Sequence, residues 1–296
     1  MTWDRVERLI GSRNLERLGQ KRVGVVGLGS GGGFVALSLA MSGVGKFVLI
    51  DDDTLEAANV VRHVADLRDV GRSKPQAVAD LIRQRNPQAE IDLRVGRIED
   101  HLDALDGLDL LVVGVDGENA KYIINQACLD RHLTAVYAGV YERGEGGDVA
   151  IIHPYDGPCY ACWAAELRDE LAKPDAAHEL DYGMIGPGGT LEAEPGLWLH
   201  VVRVASVQAD MALNELLSGT EIYRSMPGNT VILANTALEI IAGEISQPYS
   251  ALWVTVERDP HCLVCGSPAL EEASASLEDL AEMTGIVLEE NEEEQS

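Results

Sequence analysis

The 296-residue sequence has no run of about 18 uncharged apolar residues, and a bilayer-crossing helix needs about 20. Its opening, Met1-Thr2-Trp3-Asp4-Arg5, is too polar for a secretory signal, so a cytoplasmic protein without a membrane partner is expected. Basic residues are scarce: 23 Lys and Arg face 49 Asp and Glu, for a formal charge of −26. Nucleic-acid backbones are bound by clustered cations, so that balance argues against a nucleic-acid partner. Ten of the acids lie between Glu271 and Ser296, where there is no Lys or Arg. Residues 271–296 therefore read as a solvated, disordered tail, and residues 1–270 as the functional domain. There are only five cysteines, and without a secretory signal they are not expected to form a disulfide framework. Internal repeats are absent.

A hydrophobic content of 46% is ample for a sizeable core. The first third alternates short β-branched runs with helical stretches, which predicts βαβ units and a doubly wound, mostly parallel, Rossmann-like α/β sheet. Strands are expected at Val23–Val26, Lys46–Ile50, Leu110–Val115 and Thr134–Ala138, with helices at Phe34–Met41, Pro75–Arg85 and Ala120–Arg131. Arg143 to Gly147 reads as a turn, and Lys173 to Pro195, rich in Gly, Pro and acids, as a long loop. A helix over Leu197–Leu217 should bury Leu199, Val202, Ala205, Ala209 and Leu213, before late strands at Val231–Leu233, Leu238–Ile241 and Leu252–Val256.

Gly27-Leu28-Gly29-Ser30-Gly31-Gly32-Gly33 falls between a strand and a helix. There, glycine lets the backbone turn tightly and approach a phosphate at the helix N-terminus. Asp51, the first acid after the next strand, is placed to bond ribose hydroxyls. An NAD enzyme would show this much. The residues that follow discriminate: Asp53, Asn59, Arg62, then Gly71 with Lys74, and later Asp116 at a strand end. Two cations beside a phosphate cradle suit charge on a triphosphate better than hydride transfer.

In this order, Gly27, Gly29, Gly32, Asp51, Asp53, Asn59, Arg62, Gly71, Lys74 and Asp116 resemble the pattern of the ThiF/MoeB family of ubiquitin-like-protein activating enzymes. The resemblance runs from about Arg5 to Gly266. It implies a homodimer that binds ATP and Mg²⁺ and adenylates the C-terminal carboxylate of a small ubiquitin-like or sulfur-carrier protein ending in Gly-Gly. On that likeness Asp51 holds the ribose, Arg62 and Lys74 the phosphates and Asp116 the Mg²⁺. Arg8, in Arg8-Leu9-Ile10-Gly11, resembles the family's arm arginine, which enters the partner subunit's site; Arg5 and Arg13 are the alternatives.

Cys159-Tyr160-Ala161-Cys162 and Cys262-Leu263-Val264-Cys265 are two Cys-x-x-Cys pairs. Four thiolates form a closed tetrahedral Zn²⁺ site, a better account of two matched pairs than a redox pair or a disulfide. In the resembled family this zinc is structural. Cys128, on an apolar helix, reads as a buried free thiol. Many members of the family carry a further cysteine in the stretch corresponding to Lys173–Pro195, used to form a thioester. This chain has none there, so the expectation stops at adenylation. The alternatives are an NAD-dependent oxidoreductase on the same fold and a non-catalytic partner-binding member of the family.

Overall fold

Residues 3–171, 183–185, 191–193, 196–241 and 244–266 are described in the computed structural model. Two short helices, α1 (Asp4–Ile10) and α2 (Ser12–Gln20), precede the wound part of the chain. That part runs β1 (Arg22–Val26), α3 (Ser30–Met41), β2 (Lys46–Asp51), α4 (Lys74–Arg85), β3 (Glu90–Val95), β4 (Leu110–Val113), α5 (Glu118–Arg131) and β5 (Ala135–Val140). Next come β6 (Gly146–Ile152), α6 (Tyr160–Leu171), β7 (Gly183–Ile185), β8 (Leu191–Ala193) and α7 (Trp198–Leu216). The last strands are β9 (Thr230–Ala234), β10 (Leu238–Ile241), β11 (Glu244–Ser246) and β12 (Ala251–Val254).

Eight strands form one sheet in the order β12-β9-β6-β5-β4-β1-β2-β3. Neighbours from β3 to β5 are parallel, while β6, β9 and β12 extend the sheet antiparallel. Parallel neighbours need long crossovers, and the helices that supply them cover both faces, so the strands are apolar on both sides. Alternation along each strand divides the core in two. Val25, Leu49 and Val112 pack with α3, α4 and α7 on one face. Val26, Ile50 and Val113 pack with α5 and α6 on the other. The fold is the doubly wound, mostly parallel, Rossmann-like α/β sheet expected from the sequence.

Winding runs outward from β1 through β2 to β3 in one direction and from β4 to β5 in the other. A crevice therefore opens at the C-terminal ends of β1 and β4, where open α/β sheets bind ligands.

Several local expectations are corrected. Gly146 and Gly147 begin strand β6 rather than ending a turn. A Cβ at Gly147 would lie 2.5 Å from the Gly139 carbonyl oxygen and 2.6 Å from Val204 Cγ2, so glycine here lets α7 press onto the sheet. On α7, Ala205 and Ala209 are buried and Leu213 packs against the core as expected, but Leu199 is 74% exposed, and Val204, Gln208 and Ala212 join the buried face. Gln208 is satisfied there by donating from Nε2 to the carbonyls of Val113 and Val136, both at 2.9 Å, on the adjacent strands β4 and β5. The last sheet strand is Ala251–Val254, slightly ahead of the expected Leu252–Val256. Within the Lys173–Pro195 stretch, β7 and β8 pair antiparallel instead of forming loop. The rest of that stretch and the acidic tail lie outside the described residues. No helix among the described residues is long and apolar enough to cross a membrane.

Candidate functional site

The glycine run leaves β1 and enters α3 directly. Gly27 adopts φ +82°, and its N–H donates to the Ile50 carbonyl at 2.9 Å. A Cβ at Gly32 would fall 1.8 Å from the Gly27 carbonyl oxygen, so only glycine lets the first turn of α3 close onto the loop. A Cβ at Gly29 would meet nothing within 4 Å, which leaves that side of the loop open. The free N–H groups and the positive dipole end of α3 point into the crevice, an arrangement that favours an anion.

Leu28, the large residue of the loop, is fully buried. Its main chain is held on both sides: the N–H donates to Asp51 Oδ2 at 2.5 Å and the carbonyl accepts from His63 Nε2 at 2.8 Å. Asp51 Oδ1 accepts the Asp53 N–H at 2.8 Å. Burial raises the Asp51 carboxyl above its ordinary value, and the Leu28 amide and the Lys74 ammonium oppose that rise.

Lys74 is the first residue of α4, and its side chain is only 12% exposed. Its N–H donates to the Asp53 carbonyl at 3.0 Å, and Thr54 bridges to Ser73, so the start of α4 is pinned to the chain leaving β2. The Lys74 ammonium consequently meets Asp53 Oδ2 at 2.5 Å. Asp51, Asp52 and Asp53 bring one carboxylate oxygen each within 4.8 Å of one another. This local negative charge faces Lys74 and, at Asp52, Arg97 Nε at 3.3 Å.

Asn59 and Arg62 lie in a 3-10 helix, Ala57–Arg62, where Asn59 Oδ1 accepts the Glu56 N–H at 3.1 Å in a capping box. Asp116 is exposed beyond the end of β4, whose continuation is tied to β1 by Gly114 N–H donating to the Val26 carbonyl at 2.7 Å. Contacts thus join Gly27, Gly32, Asp51, Asp53 and Lys74, and His63, next in the chain after Arg62, ties the end of the 3-10 helix to the same loop. Arg8 stands apart on α1, where it pairs with Asp4 Oδ1 at 3.0 Å.

The four paired cysteines converge from the start of α6 and the segment after β12. Sulfur separations are 3.8 Å for Cys159–Cys162, 3.8 Å for Cys159–Cys262 and 3.4 Å for Cys162–Cys265. A disulfide requires about 2.05 Å, and all four are free thiols. A tetrahedron with metal–sulfur bonds of about 2.3 Å has edges of about 3.8 Å, so the cradle fits Zn²⁺. Burial raises the Cys159 thiol and pushes Cys162 up to about 11. Four thiolates in this setting call for a cation among them.

The family model described as the ThiF family matches residues 4–264. The chain belongs to the ThiF family. Among curated relatives, it is 29% identical over 275 residues to the SAMP-activating enzyme E1 of Haloferax volcanii, covering 92% of this chain and 88% of that protein. It is 32% identical over 163 residues to ubiquitin-like modifier-activating enzyme 5 of Caenorhabditis briggsae, covering 51% of this chain and 38% of the relative. E. coli MccB with ATP shares the fold at a TM-score of 0.64 and 20% identity, over 86% of this chain and 69% of that one.

Two buried polar groups outside the sequence motif stand out among the described residues, His63 at the glycine loop and Lys121 on α5. His63 is 8% exposed and touches the glycine loop. Lys121, 4% exposed one turn into α5, places Nζ 3.1 Å from Glu118 Oε1, whose second oxygen accepts the Tyr160 hydroxyl at 3.0 Å. A lone histidine or a helical lysine carries no signal in one sequence, and only the packing singles them out.

Proposed function

We propose that this ThiF-family chain is an ATP-dependent adenylyltransferase that activates the C-terminal carboxylate of a small ubiquitin-like or sulfur-carrier protein ending in Gly-Gly. The observation that carries the reading is the meeting of the glycine loop, Asp51 and the half-buried Lys74 at the switch point between β1 and β4. An oxygen of the partner's carboxylate attacks the α-phosphorus of ATP. The bond from that phosphorus to the bridging oxygen breaks, giving an acyl-adenylate and pyrophosphate. A C-terminal carboxylate is already ionised at neutral pH, so no base is needed. Catalysis then rests on positioning and on neutralising the charge that develops on the phosphates.

In this reading Lys74 exchanges Asp53 for a phosphate oxygen, and Arg62 supplies a second cation. Gly27, Gly29 and Gly32 admit the phosphates, and Asp51 orients the ribose. Asp116, exposed beside the crevice, would hold Mg²⁺, which supplies further neutralisation. Arg8, on an arm outside its own crevice, would enter the partner subunit's site in a homodimer. The cysteine cluster would hold a structural Zn²⁺ with no position open to a substrate. Cys128 is buried and its thiol is pushed up to about 12, so it is no thiolate nucleophile, and the reading ends at the adenylate. The similarity to the SAMP-activating enzyme E1 over nearly the whole chain supports the substrate class.

The test is ATP–pyrophosphate exchange with candidate ubiquitin-like proteins ending in Gly-Gly. Exchange that depends on one such partner is expected. A folded protein that binds ATP but shows no partner-dependent exchange across a broad panel would overturn the reading.

A further inference from the structure

We propose that His63 is a positioning residue that fixes Arg62 against the glycine loop through two opposite ring contacts. Nε2 lies 2.8 Å from the Leu28 carbonyl, and Nδ1 lies 3.0 Å from the Ala65 amide nitrogen. An amide N–H only donates, so Nδ1 carries the lone pair and the proton sits on Nε2, where it donates to Leu28. The ring is thereby a neutral imidazole that fastens both sides of the crevice. Leu28 is anchored a second time by Asp51, so one loop residue joins the end of β2 to the 3-10 helix carrying Asn59 and Arg62. Arg62 immediately precedes His63, so the same anchor fixes the backbone from which the Arg62 side chain extends.

Gly33 supplies an independent observation, since the nucleotide motif uses Gly27, Gly29 and Gly32 and leaves Gly33 unexplained. A Cβ there would lie 3.2 Å from Val64 Cγ2, 3.3 Å from the Leu28 carbonyl oxygen and 3.5 Å from His63 Nε2. Glycine at this point makes room for the imidazole and its neighbour at the start of α3. The charged groups near the ring are Asp51 and Asp69, which favour its protonation, and Lys74, which opposes it. Burial outweighs the acids and holds the ring neutral. A second proton would set an Nδ1–H against the Ala65 N–H and break the fastening.

The inference rests on the ATP reading and is tested by ATP·Mg²⁺ binding to wild-type protein, His63→Ala and His63→Gln. His63→Ala should raise the Kd about tenfold or more, from the lost hydrogen bonds and the freed loop. Glutamine can again donate to the Leu28 carbonyl, so His63→Gln should bind within about threefold of wild type. Wild-type affinity should also fall in acid, as the pH drops below the ordinary histidine range to the lowered value at which the buried ring gains its proton, while His63→Gln should lack that fall. Wild-type affinity in His63→Ala, or a folded His63→Gln as weak as alanine, would overturn the proposal. Should His63→Ala fail to fold, the pH profiles decide, and identical profiles for wild type and His63→Gln overturn it. Wild-type protein that binds no ATP·Mg²⁺ would instead count against the adenylation reading. Amide exchange at Ala65 would then test the tether alone: faster exchange in the variants supports it, and unchanged exchange overturns it.

Discussion

Lys74 is the residue whose loss should separate chemistry from folding. Its ammonium is poised at the crevice but contributes one partly exposed ion pair, and such pairs add little to stability. Removing a cation that acts on developing phosphate charge costs about 10²-fold or more in rate. Lys74→Ala and Arg62→Ala should therefore nearly abolish pyrophosphate exchange while melting close to wild type. Cys128→Ala should keep exchange and lose about 1 kcal/mol of stability to the small cavity left. Exchange lost with Cys128→Ala and kept with Lys74→Ala, both folded, would contradict the proposed mechanism. His63 offers a pH-dependent counterpart. Its folded-state pKa is lowered, so the unfolded chain binds this proton more readily. The stability it contributes is full above about pH 6.5 and declines as pH falls toward the lowered value. Unfolding measured at pH 7.5 and 5.5 should show a smaller loss for His63→Gln than for wild type.

At the scale of elements, two joints carry the architecture around the site. The first is α7, which is fastened to β4 and β5 through Gln208. Gln208→Leu keeps the bulk but strips the donors from two buried strand carbonyls, at about 1–3 kcal/mol for a buried group left unsatisfied. Denaturant unfolding should show a loss in that range. The second joint is the cysteine cluster, which ties the start of α6 to the segment after β12. Purified protein should contain about one Zn²⁺ per chain, and Cys162→Ser or Cys265→Ser should lose both the metal and stability. Four freely reactive thiols in the purified protein would exclude the metal. Asn125 Oδ1 accepts the Tyr160 N–H at 2.9 Å, next to the first ligand Cys159, so loss of metal should loosen the α5–α6 contact before the glycine loop.

For the whole molecule the decisive question is whether one crevice is complete within one chain. Arg8 is 77% exposed at its side chain and pairs with Asp4, and its proposed place in a second copy's site can be tested directly. In the proposed homodimer, mixing Arg8→Ala with Lys74→Ala protein would give mixed dimers in which one of the two sites has both groups intact. After subunit exchange, activity should recover to about a quarter of wild type, since about half the dimers are mixed. A mixture as inactive as its parents, with mixed dimers verified by mass, would remove Arg8 from the partner's site.

The order Gly27, Asp51, Asn59, Arg62, Lys74 and Asp116, the apolar strand runs and the paired cysteines are local signals. A short motif, a two-residue period or a fixed spacing carries its chemistry wherever the chain puts it. From them the doubly wound sheet, the family and the candidate ligands followed without coordinates. Other features depended on contacts between residues far apart in the chain. Gly146 and Gly147 read as a turn until flanking strands and Val204 of α7 required bare backbone there. Gln208 carried no sequence signal, because its acceptors on β4 and β5 lie 95 and 72 residues away in the chain, and Leu199 fits the helical spacing yet lies outside the core. His63 had no pattern at all, because its role comes from a carbonyl 35 residues earlier in the chain that only the closed sheet brings within a hydrogen bond.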